Sequence, residues 1–421
     1  MVTGWNSQGG RRWLIWSAGL AVLVMLLAGM LLVPRSRPGA SVPPPPTTEP
    51  DDLEWARELE RENSTGHESA EGVAATGSGF SVVGHTNSRR PGVEQAWVLR
   101  FDQAPALRWE RILGREALGT GTLGRAIAAL PGGGLVAAGE EQVAVGVFRG
   151  WLLALSAEGE VLWERTPGQE GVNGFNAVSV HEDGSIVAGG VQDAVGWVVR
   201  MDARGGQLWS VKLPRLEAVT ALVALPGQRT AVVGKAETST VGLGISRLFL
   251  LEADGRVSRE TQLPARGQGE LNALARMRDG GLVAAGSASR PDSTERHLWA
   301  VRLDSRGEVL WQQLLDGTEP EQGSALTPLP DGGIAVVGFS STEQAGHEAR
   351  VWRISADGKL LWQRSYGGAG EDLGYGIARL EDGNLVVVGS TTFKGAGKTD
   401  VWTFGLSPEG QMLWERTFGA P

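Results

Sequence analysis

The chain has 421 residues, of which 41% are apolar and 21% are charged, and it contains no cysteine. This composition excludes a disulfide scaffold, a thiolate zinc site, a cysteine nucleophile and an acylated lipoprotein cysteine. The 39 basic and 48 acidic residues give a net charge of −9, whereas a surface that binds nucleic acid needs an excess of positive charge. Nucleic acid is therefore not an expected partner.

The first predicted element is a membrane-spanning helix over residues 13–33, which follows a short segment over residues 1–12. The span reads WLIWSAGLAVLVMLLAGMLLV and contains no charged residue. A helix of this length crosses a hydrocarbon core of about 30 Å, and Arg11 and Arg12 favour a cytoplasmic N-terminus. Because the apolar stretch of a cleaved signal peptide usually has about 7–15 residues, we expect an uncleaved signal-anchor. Cleavage remains the alternative.

Residues 34–50 are predicted to form a spacer between the membrane segment and the rest of the chain. Their sequence is PRSRPGASVPPPPTTEP, and four successive prolines favour polyproline II and prevent helix continuation. The globular part then occupies residues 51–421.

A repeat of about 50 residues fills this globular part. Its most visible element is a short apolar run that ends in glycine, followed after a variable loop by further apolar segments. Seven such glycines occur, at positions 84, 139, 189, 234, 286, 338 and 389. A fixed period in this range indicates a solenoid or a propeller rather than separate domains.

Each repeat divides into four short strands. The first two strands flank a turn such as Asp279-Gly-Gly or Asp331-Gly-Gly, and a second tight turn such as Asp304–Gly307 separates the last two. Asp and Gly at these positions are typical of hairpin turns. Four strands repeated seven times predict an all-β fold, a seven-bladed β-propeller of four-stranded antiparallel blades over residues 51–421.

Tryptophan marks the third and fourth strands. In five repeats the two tryptophans are 12 residues apart, as in Trp151 and Trp163, while repeat six carries Trp352 and repeat four carries Phe249 two residues later than expected. A shift of two keeps a side chain on the same face of a strand. We therefore expect these aromatic residues to pack between neighbouring sheets rather than to stack on a cofactor.

The segment Leu53–Leu59 is ambiguous. It resembles an additional fourth strand, with Trp55 in the tryptophan position, but its Glu, Arg and Leu content also suits a short helix behind Asp51 and Asp52. The strand is the slightly favoured interpretation.

The repeat resembles those of a known group of proteins. The segments DGGIAVVG (331–338) and WRISADGKLLWQRSYGG (352–368) resemble the tandem repeats of bacterial exported β-propellers of the delta-sixty type. The tryptophan element is also similar to the quinoprotein-like repeat of periplasmic dehydrogenases and of the outer-membrane assembly lipoprotein. The resemblance covers residues 53–421 and implies a fold and an exported location, but not a shared activity.

A search of the sequence for chemistry yields few candidates. The five histidines His67, His85, His181, His297 and His347 lie in different repeats and at no metal-ligand spacing. Neither a nucleophile elbow nor a phosphate loop is present. The quinoprotein-like enzymes commonly hold their quinone under a vicinal disulfide, which this chain lacks. We therefore expect no catalytic residue, no cofactor and no metal ion.

One polar column stands out, because a polar residue precedes the first strand of every repeat. Five of its seven members are acidic: Glu68, Thr122, Asn173, Glu217, Glu270, Glu321 and Asp372. If these residues ring the mouth of the central channel, they attract a cation or a basic partner peptide. Alternatively, each carboxylate accepts a backbone N–H from the neighbouring blade or is solvated.

The loops between second and third strands differ in every repeat, whereas the other two turns are short and similar. Alternate connections of a four-stranded meander lie on opposite faces, so all the variable loops should share one face. Binding residues gather on loops that a rigid scaffold holds. The candidate partner-binding residues are Glu68, Glu217, Glu270, Glu321, Asp372, Arg290, Asp292, Lys394 and Lys398.

The sequence thus predicts a membrane-anchored or exported propeller that binds a protein partner and is not an enzyme. In a bacterium it would sit in the inner membrane with the propeller in the periplasm, or be secreted or placed at the surface if the N-terminal segment is cleaved. The alternatives are a cell-surface carbohydrate-binding or structural protein and, less favoured, a quinoprotein-like enzyme.

Overall fold

The fold was taken from a computed structural model. It describes residues 66–419 apart from residues 78, 91, 104, 115–119, 169–170, 237–244, 264, 266, 292, 316, 318, 343–345 and 395–397. The predicted segments 1–12, 13–33 and 34–50 and the ambiguous segment Leu53–Leu59 lie outside the described residues. Among the described residues, no helix is long and apolar enough to cross a membrane.

The described strands fall into seven groups of four consecutive strands, which we call units 1 to 7. The first strands are β1 (Glu68–Thr76), β5 (Gly121–Ala129), β9 (Asn173–Val180), β13 (Ala218–Ala224), β17 (Gly269–Arg276), β21 (Glu321–Pro328) and β25 (Gly370–Arg379). The second strands are β2 (Gly79–Thr86), β6 (Leu135–Ala144), β10 (Ile186–Gln192), β14 (Thr230–Ala236), β18 (Leu282–Ser289), β22 (Ile334–Thr342) and β26 (Leu385–Thr391).

The outer half of each unit follows the same scheme. The third strands are β3 (Gln95–Asp102), β7 (Val147–Leu155), β11 (Val195–Met201), β15 (Ile245–Leu251), β19 (Arg296–Leu303), β23 (Gly346–Ile354) and β27 (Asp400–Leu406). The fourth strands are β4 (Leu107–Leu113), β8 (Val161–Arg165), β12 (Gln207–Leu213), β16 (Val257–Leu263), β20 (Val309–Leu314), β24 (Leu360–Tyr366) and β28 (Met412–Phe418). One 3₁₀ turn, Pro226–Gln228, joins β13 to β14.

The units form a closed ring. Within each unit, consecutive strands pair antiparallel; units 1 to 5 are separate four-stranded sheets, and a short parallel pairing of β23 with β25 joins units 6 and 7 into one. Each first strand contacts the first strand of the next unit, and β25 contacts β1. The all-β fold and the four-stranded antiparallel sheets are thereby confirmed, and the architecture is that of a β-propeller.

Every first strand carries one β-bulge, and the bulged residue is polar in all seven units: Glu71, Arg125, Asn176, Thr220, Asn272, Ser324 and Tyr375. Three of them hold the next unit by its backbone. Asn176 Nδ2 donates to Val219 O at 2.9 Å, and Asn272 Nδ2 donates to Gly323 O at 2.9 Å. Thr220 Oγ1 donates to Leu271 O at 2.5 Å. A bulge re-aims a side chain, and here it turns polar groups towards the adjacent first strand.

The tryptophans pack between sheets, as predicted. The six third-strand tryptophans are buried. On the fourth strand, the Trp109 indole donates to Ala157 O of unit 2 at 3.0 Å and lies against Gly159 of the same turn. Gly159 has a φ of 81°, and a Cβ there would lie 3.0 Å from the indole ring. The same contact recurs between Trp163 and Gly205 and between three further pairs, 209/255, 311/358 and 362/410.

Two units depart from this contact. In unit 4 the fourth-strand position is Arg259, which pairs with Glu308 of unit 5 instead. In unit 7 the Trp414 indole lies across Gly405 of its own sheet and stacks on Phe80 of unit 1, with ring centroids 5.9 Å apart. The departure has a local cause, since the corresponding turn of unit 1, after Asp102, lacks the glycine on which an indole would rest.

Candidate functional site

The ring has two unlike faces. One carries the short turns between first and second and between third and fourth strands, and we call it the tight-turn face. These turns are held internally: Asp279 Oδ1 accepts the Gly281 N–H at 3.0 Å, and Asp202 Oδ1 accepts the Gly206 N–H at 2.8 Å. The opposite, variable-loop face carries the connections between second and third strands and between successive units.

A cleft of about 310 Å³ opens on the variable-loop face between units 5 and 6. Its lining includes Glu295 from the loop before β19, Arg296 at the start of β19, Pro320 and Glu321 at the start of β21, and Phe339 from β22. The cleft therefore combines one aromatic ring with charged groups of both signs, which suits a polypeptide side chain.

Glu321, which lines the cleft, belongs to an ion-pair network. The Glu321 carboxylate has no solvent exposure and lies 2.9 Å from Arg350, whose side chain is 12% exposed. Arg350 also contacts Glu319 at 2.9 Å, and the Leu298 N–H of unit 5 points at Glu321 Oε2 from 3.5 Å. Charge-assisted bonds of this kind set a guanidinium in a fixed geometry. With one arginine between two carboxylates, this network of three side chains has a net negative charge.

A long hairpin forms one wall of the cleft. The Phe339 ring meets the His347 ring edge-on, with centroids 5.2 Å apart, and the His347 imidazole contacts the Glu371 carboxylate of unit 7. The backbone of β23 pairs with β25 at the same place. The wall is thus braced by the next unit, so that units 5, 6 and 7 all contribute to the site.

The polar column that the sequence suggested does not line an open channel mouth. Glu68, Glu321 and Asp372 are 1%, 3% and 0% exposed, and Thr122 and Asn173 are also buried. Asp372 Oδ2 accepts the Gly368 N–H at 2.6 Å. Only Glu217 is half-buried at this position, 3.4 Å from Lys235. Asp372 and Glu321 therefore fit the alternative interpretation of the column, in which a carboxylate accepts a backbone N–H.

Glu270 does not belong to the column. In unit 6 the glycine that ends the second strand, Gly338, pairs with Gly323, two residues after Glu321. In unit 5 the corresponding Gly286 pairs with Leu271, so the equivalent position is Gly269. An offset of one residue sends a side chain to the opposite face. Glu270 accordingly lies half-buried with Arg296, at 3.9 Å.

The predicted loop residues have different surroundings. Lys394 is half-buried and pinned to Glu415 at 2.6 Å, and the Trp402 indole donates to the same carboxylate. Lys398 and Arg290 are exposed, while Asp292 lies outside the described residues. Of these, the exposed Arg290 lies on the same second-to-third loop as Glu295 of the cleft.

Arg350, the central cation of the site, is a residue that the sequence interpretation missed. It pairs with Gly338 across β22 and β23, the place that Trp299 holds opposite Gly286 in unit 5. The aromatic residue of unit 6 is displaced by two positions to Trp352, which leaves an arginine in the tryptophan position. The same displacement in unit 4 places Arg247 opposite Gly234, so the shift itself was the available signal.

The described residues hold no group of three His, Asp or Glu side chains that could bind a metal ion. The buried His181 ring lies 3.3 Å from Thr230 Oγ1. Its pKa is lowered mainly by burial and further by Arg200.

A closed ring of four-stranded antiparallel repeats with one loop-rich face defines a repeat-type β-propeller. The chain belongs to the family of the outer membrane protein assembly factor BamB, whose model matches residues 194–421. No curated protein matches the chain.

Solved structures share the fold at low sequence identity. The RRP9 WD40 repeats match with a TM-score of 0.52 and 13% identity, over 76% of this chain and 87% of theirs. A protein from Lactobacillus plantarum matches with a TM-score of 0.51 and 14% identity, over 83% of this chain and 96% of that one. Both likenesses concern the fold alone.

Proposed function

We propose that this protein is a seven-bladed, non-catalytic scaffold that binds a protein partner through the variable-loop face on the extracytoplasmic side of a bacterial membrane. Each four-strand unit is then one blade. Membership of the BamB family supports a role in outer-membrane protein assembly, and the uncharged span over residues 13–33 supports a tether.

The observation that carries the proposal is the cleft between units 5 and 6. It combines an aromatic wall, the buried Glu321 carboxylate and exposed rim groups such as Glu295, on a scaffold that units 5, 6 and 7 brace together. Interfaces favour an apolar anchor surrounded by polar groups. Its most buried charges, Glu321 and Arg350, are engaged with each other, which suits binding better than acid–base chemistry.

Site-directed photocrosslinking in cells tests this site. A crosslinker at Ser341, in the cleft, should capture an outer-membrane protein or a component of its assembly, whereas one at Lys359, on the tight-turn face, should not. Replacing Glu295 with Arg should lower the yield from Ser341 by about two- to fivefold, the range for a charge at the rim of an interface. The matched charge reversal Glu158→Arg, on the tight-turn face, should leave the yield unchanged. Capture from Lys359 alone would contradict the assignment of the face.

The location has its own test. Protease added to intact spheroplasts should digest residues 51–421, because the proposed topology places them outside the inner membrane. A cytoplasmic marker protein serves as the control and should survive. If the propeller resists digestion until the cells are lysed, its proposed location is wrong.

A further inference from the structure

The junction between units 7 and 1, which we call the seam, is where the ring closes on itself. The Glu68 N–H donates to Thr399 O at 2.9 Å, the Lys398 N–H donates to Gly66 O at 3.2 Å, and His67 bridges to Thr399. The junction between units 1 and 2 has the equivalent bond, from the Thr122 N–H to Glu94 O at 2.8 Å. The seam therefore shares one backbone hydrogen bond with an internal junction and adds a second.

Its side chains are different, because two carboxylates are buried together at the seam. Glu68 of unit 1 and Asp400 of unit 7 are each 1% exposed. A Cβ on Gly419 would collide with Asp400 Oδ1 and lie 3.3 Å from Glu68 Oε2. The two oxygens thus border one small space, which the glycine keeps open. At the internal junction, Thr122 holds the place of Glu68.

The surroundings of Glu68 favour its neutral form. One hydrogen bond acts against this, because Thr86 Oγ1 donates to Glu68 Oε1 at 3.1 Å and lowers the pKa of Glu68. The other oxygen, Oε2, has no hydrogen-bond partner among the described residues. Burial, followed by the charges of Asp400 and Glu94, raises the pKa of Glu68 to about 7. The adjacent His67 ring is flanked by Lys398, Glu94 and His85, and burial lowers its pKa. By contrast, the buried Glu321 has Arg350 at 2.9 Å.

We propose that the variable-loop end of the seam is a proton-controlled latch, which stays closed while Glu68 carries a proton and opens when Glu68 and Asp400 are both ionised. The opening is confined to this end, because an aromatic cluster holds the remainder of the seam. Phe80 stacks on Trp414 there, and Phe418, which precedes Gly419 at the border of the latch, packs on Phe101 with centroids 5.2 Å apart.

The direction of the pH dependence follows from proton linkage. The closed seam binds the Glu68 proton more tightly than the open one, so closure is fully favoured below pH 4.5 and is lost as the pH rises towards 7. If opening returns Glu68 to an ordinary pKa of 4.5, the opening constant rises about 30-fold between pH 5.5 and 8.5.

Hydrogen exchange of the full-length chain measures this opening at individual junctions. After correction for the intrinsic exchange rate, the Glu68 and Lys398 amides should lose protection by about 30-fold between pH 5.5 and 8.5. The Thr122 amide of the internal junction should not change. In Glu68→Gln the seam amides should not lose protection between pH 5.5 and 8.5, since glutamine keeps the acceptor for Thr86 and cannot ionise, and the lowered pKa of His67 acts in the opposite direction.

Two results would overturn the latch. One is seam protection that does not depend on pH in the wild type, and the other is an equal loss at Thr122, which would indicate opening of the whole ring. If Glu68→Gln does not fold, Asp400→Asn provides the second variant. It removes one of the two charges and should give a smaller loss of protection than the wild type; an unchanged loss would also count against the latch.

Discussion

We expect Trp151→Ala to lower the free energy of unfolding by about 3–5 kcal/mol, the range for removing a large aromatic side chain from a core. The Trp151 side chain is 0% exposed. It packs in a cluster that includes Val83 and Val98 of unit 1 as well as Leu153 of its own unit, so the cavity would form between two sheets. Neither sheet can close it without moving the other.

Trp311→Ala is the matched comparison. Its indole is half-buried on the turn at Gly358 and donates to Ala356 O at 3.1 Å. A smaller loss of about 1–2 kcal/mol is expected, since part of the ring is already in water. Urea unfolding followed by far-UV circular dichroism measures both variants. If both variants lost the same free energy of unfolding, burial would not explain how the third-strand tryptophans stabilise the fold.

The second large effect is expected for Arg302→Ala, at about 2–3 kcal/mol. The Arg302 side chain is 7% exposed. Its guanidinium donates to Leu282 O at 2.9 Å, to Leu303 O and to the Asp279 carboxylate of the turn between the first two strands. Removing it leaves two buried carbonyl groups short of a donor. Losing the ion pair with Asp279 contributes little to this destabilisation, because that carboxylate is exposed. The Gly281 N–H, rather than Arg302, is the main cause of the lowered pKa of Asp279.

Arg108→Ala supplies the control for a lost arginine charge. Its side chain is 65% exposed and lies 3.1 Å from Asp102, and exposed pairs of this type contribute about 0–1 kcal/mol. Thermal unfolding at neutral pH compares the two variants. A loss for Arg302→Ala no greater than that for Arg108→Ala would show that the buried arginine does not hold the turn.

The fold could be predicted from the sequence because the repeat is carried by side chains whose roles are local. The apolar runs that end in glycine and the Asp-Gly turns gave the strand order, and the spacing of 12 between paired tryptophans gave the inter-sheet packing. Each of these signals depends on residues within one unit. The apolar run that ends in glycine occurs seven times and the tryptophan spacing five times, so the pattern is robust against the degenerate fourth repeat, where Arg259 replaces tryptophan.

The candidate site was only partly predictable, because it depends on register between strands. The sequence pointed to the variable loops and to Glu321, both of which contribute to the cleft. It placed Glu270 in the same column, however, although a one-residue offset sends that side chain to the opposite face. The bulged residues, such as Asn272, leave no spacing signal, since a bulge is recognised only from its pairing. Arg350 was visible as a displaced tryptophan, but its partners Glu319 and Glu321 come from the connection before β21 and from β21 itself.

The similar contacts between successive units determine where the chain ends of such a protein can be placed. Every described unit is built from four consecutive strands, and β25 packs on β1 much as β1 packs on β5. The cyclic order of the units therefore does not depend on where the polypeptide begins. New ends at another connection between units would cut no hydrogen-bonded ladder, which makes the propeller a suitable scaffold for circular permutation. For the same reason, the chain ends could be moved from one unit to another around the ring without redesign of any sheet.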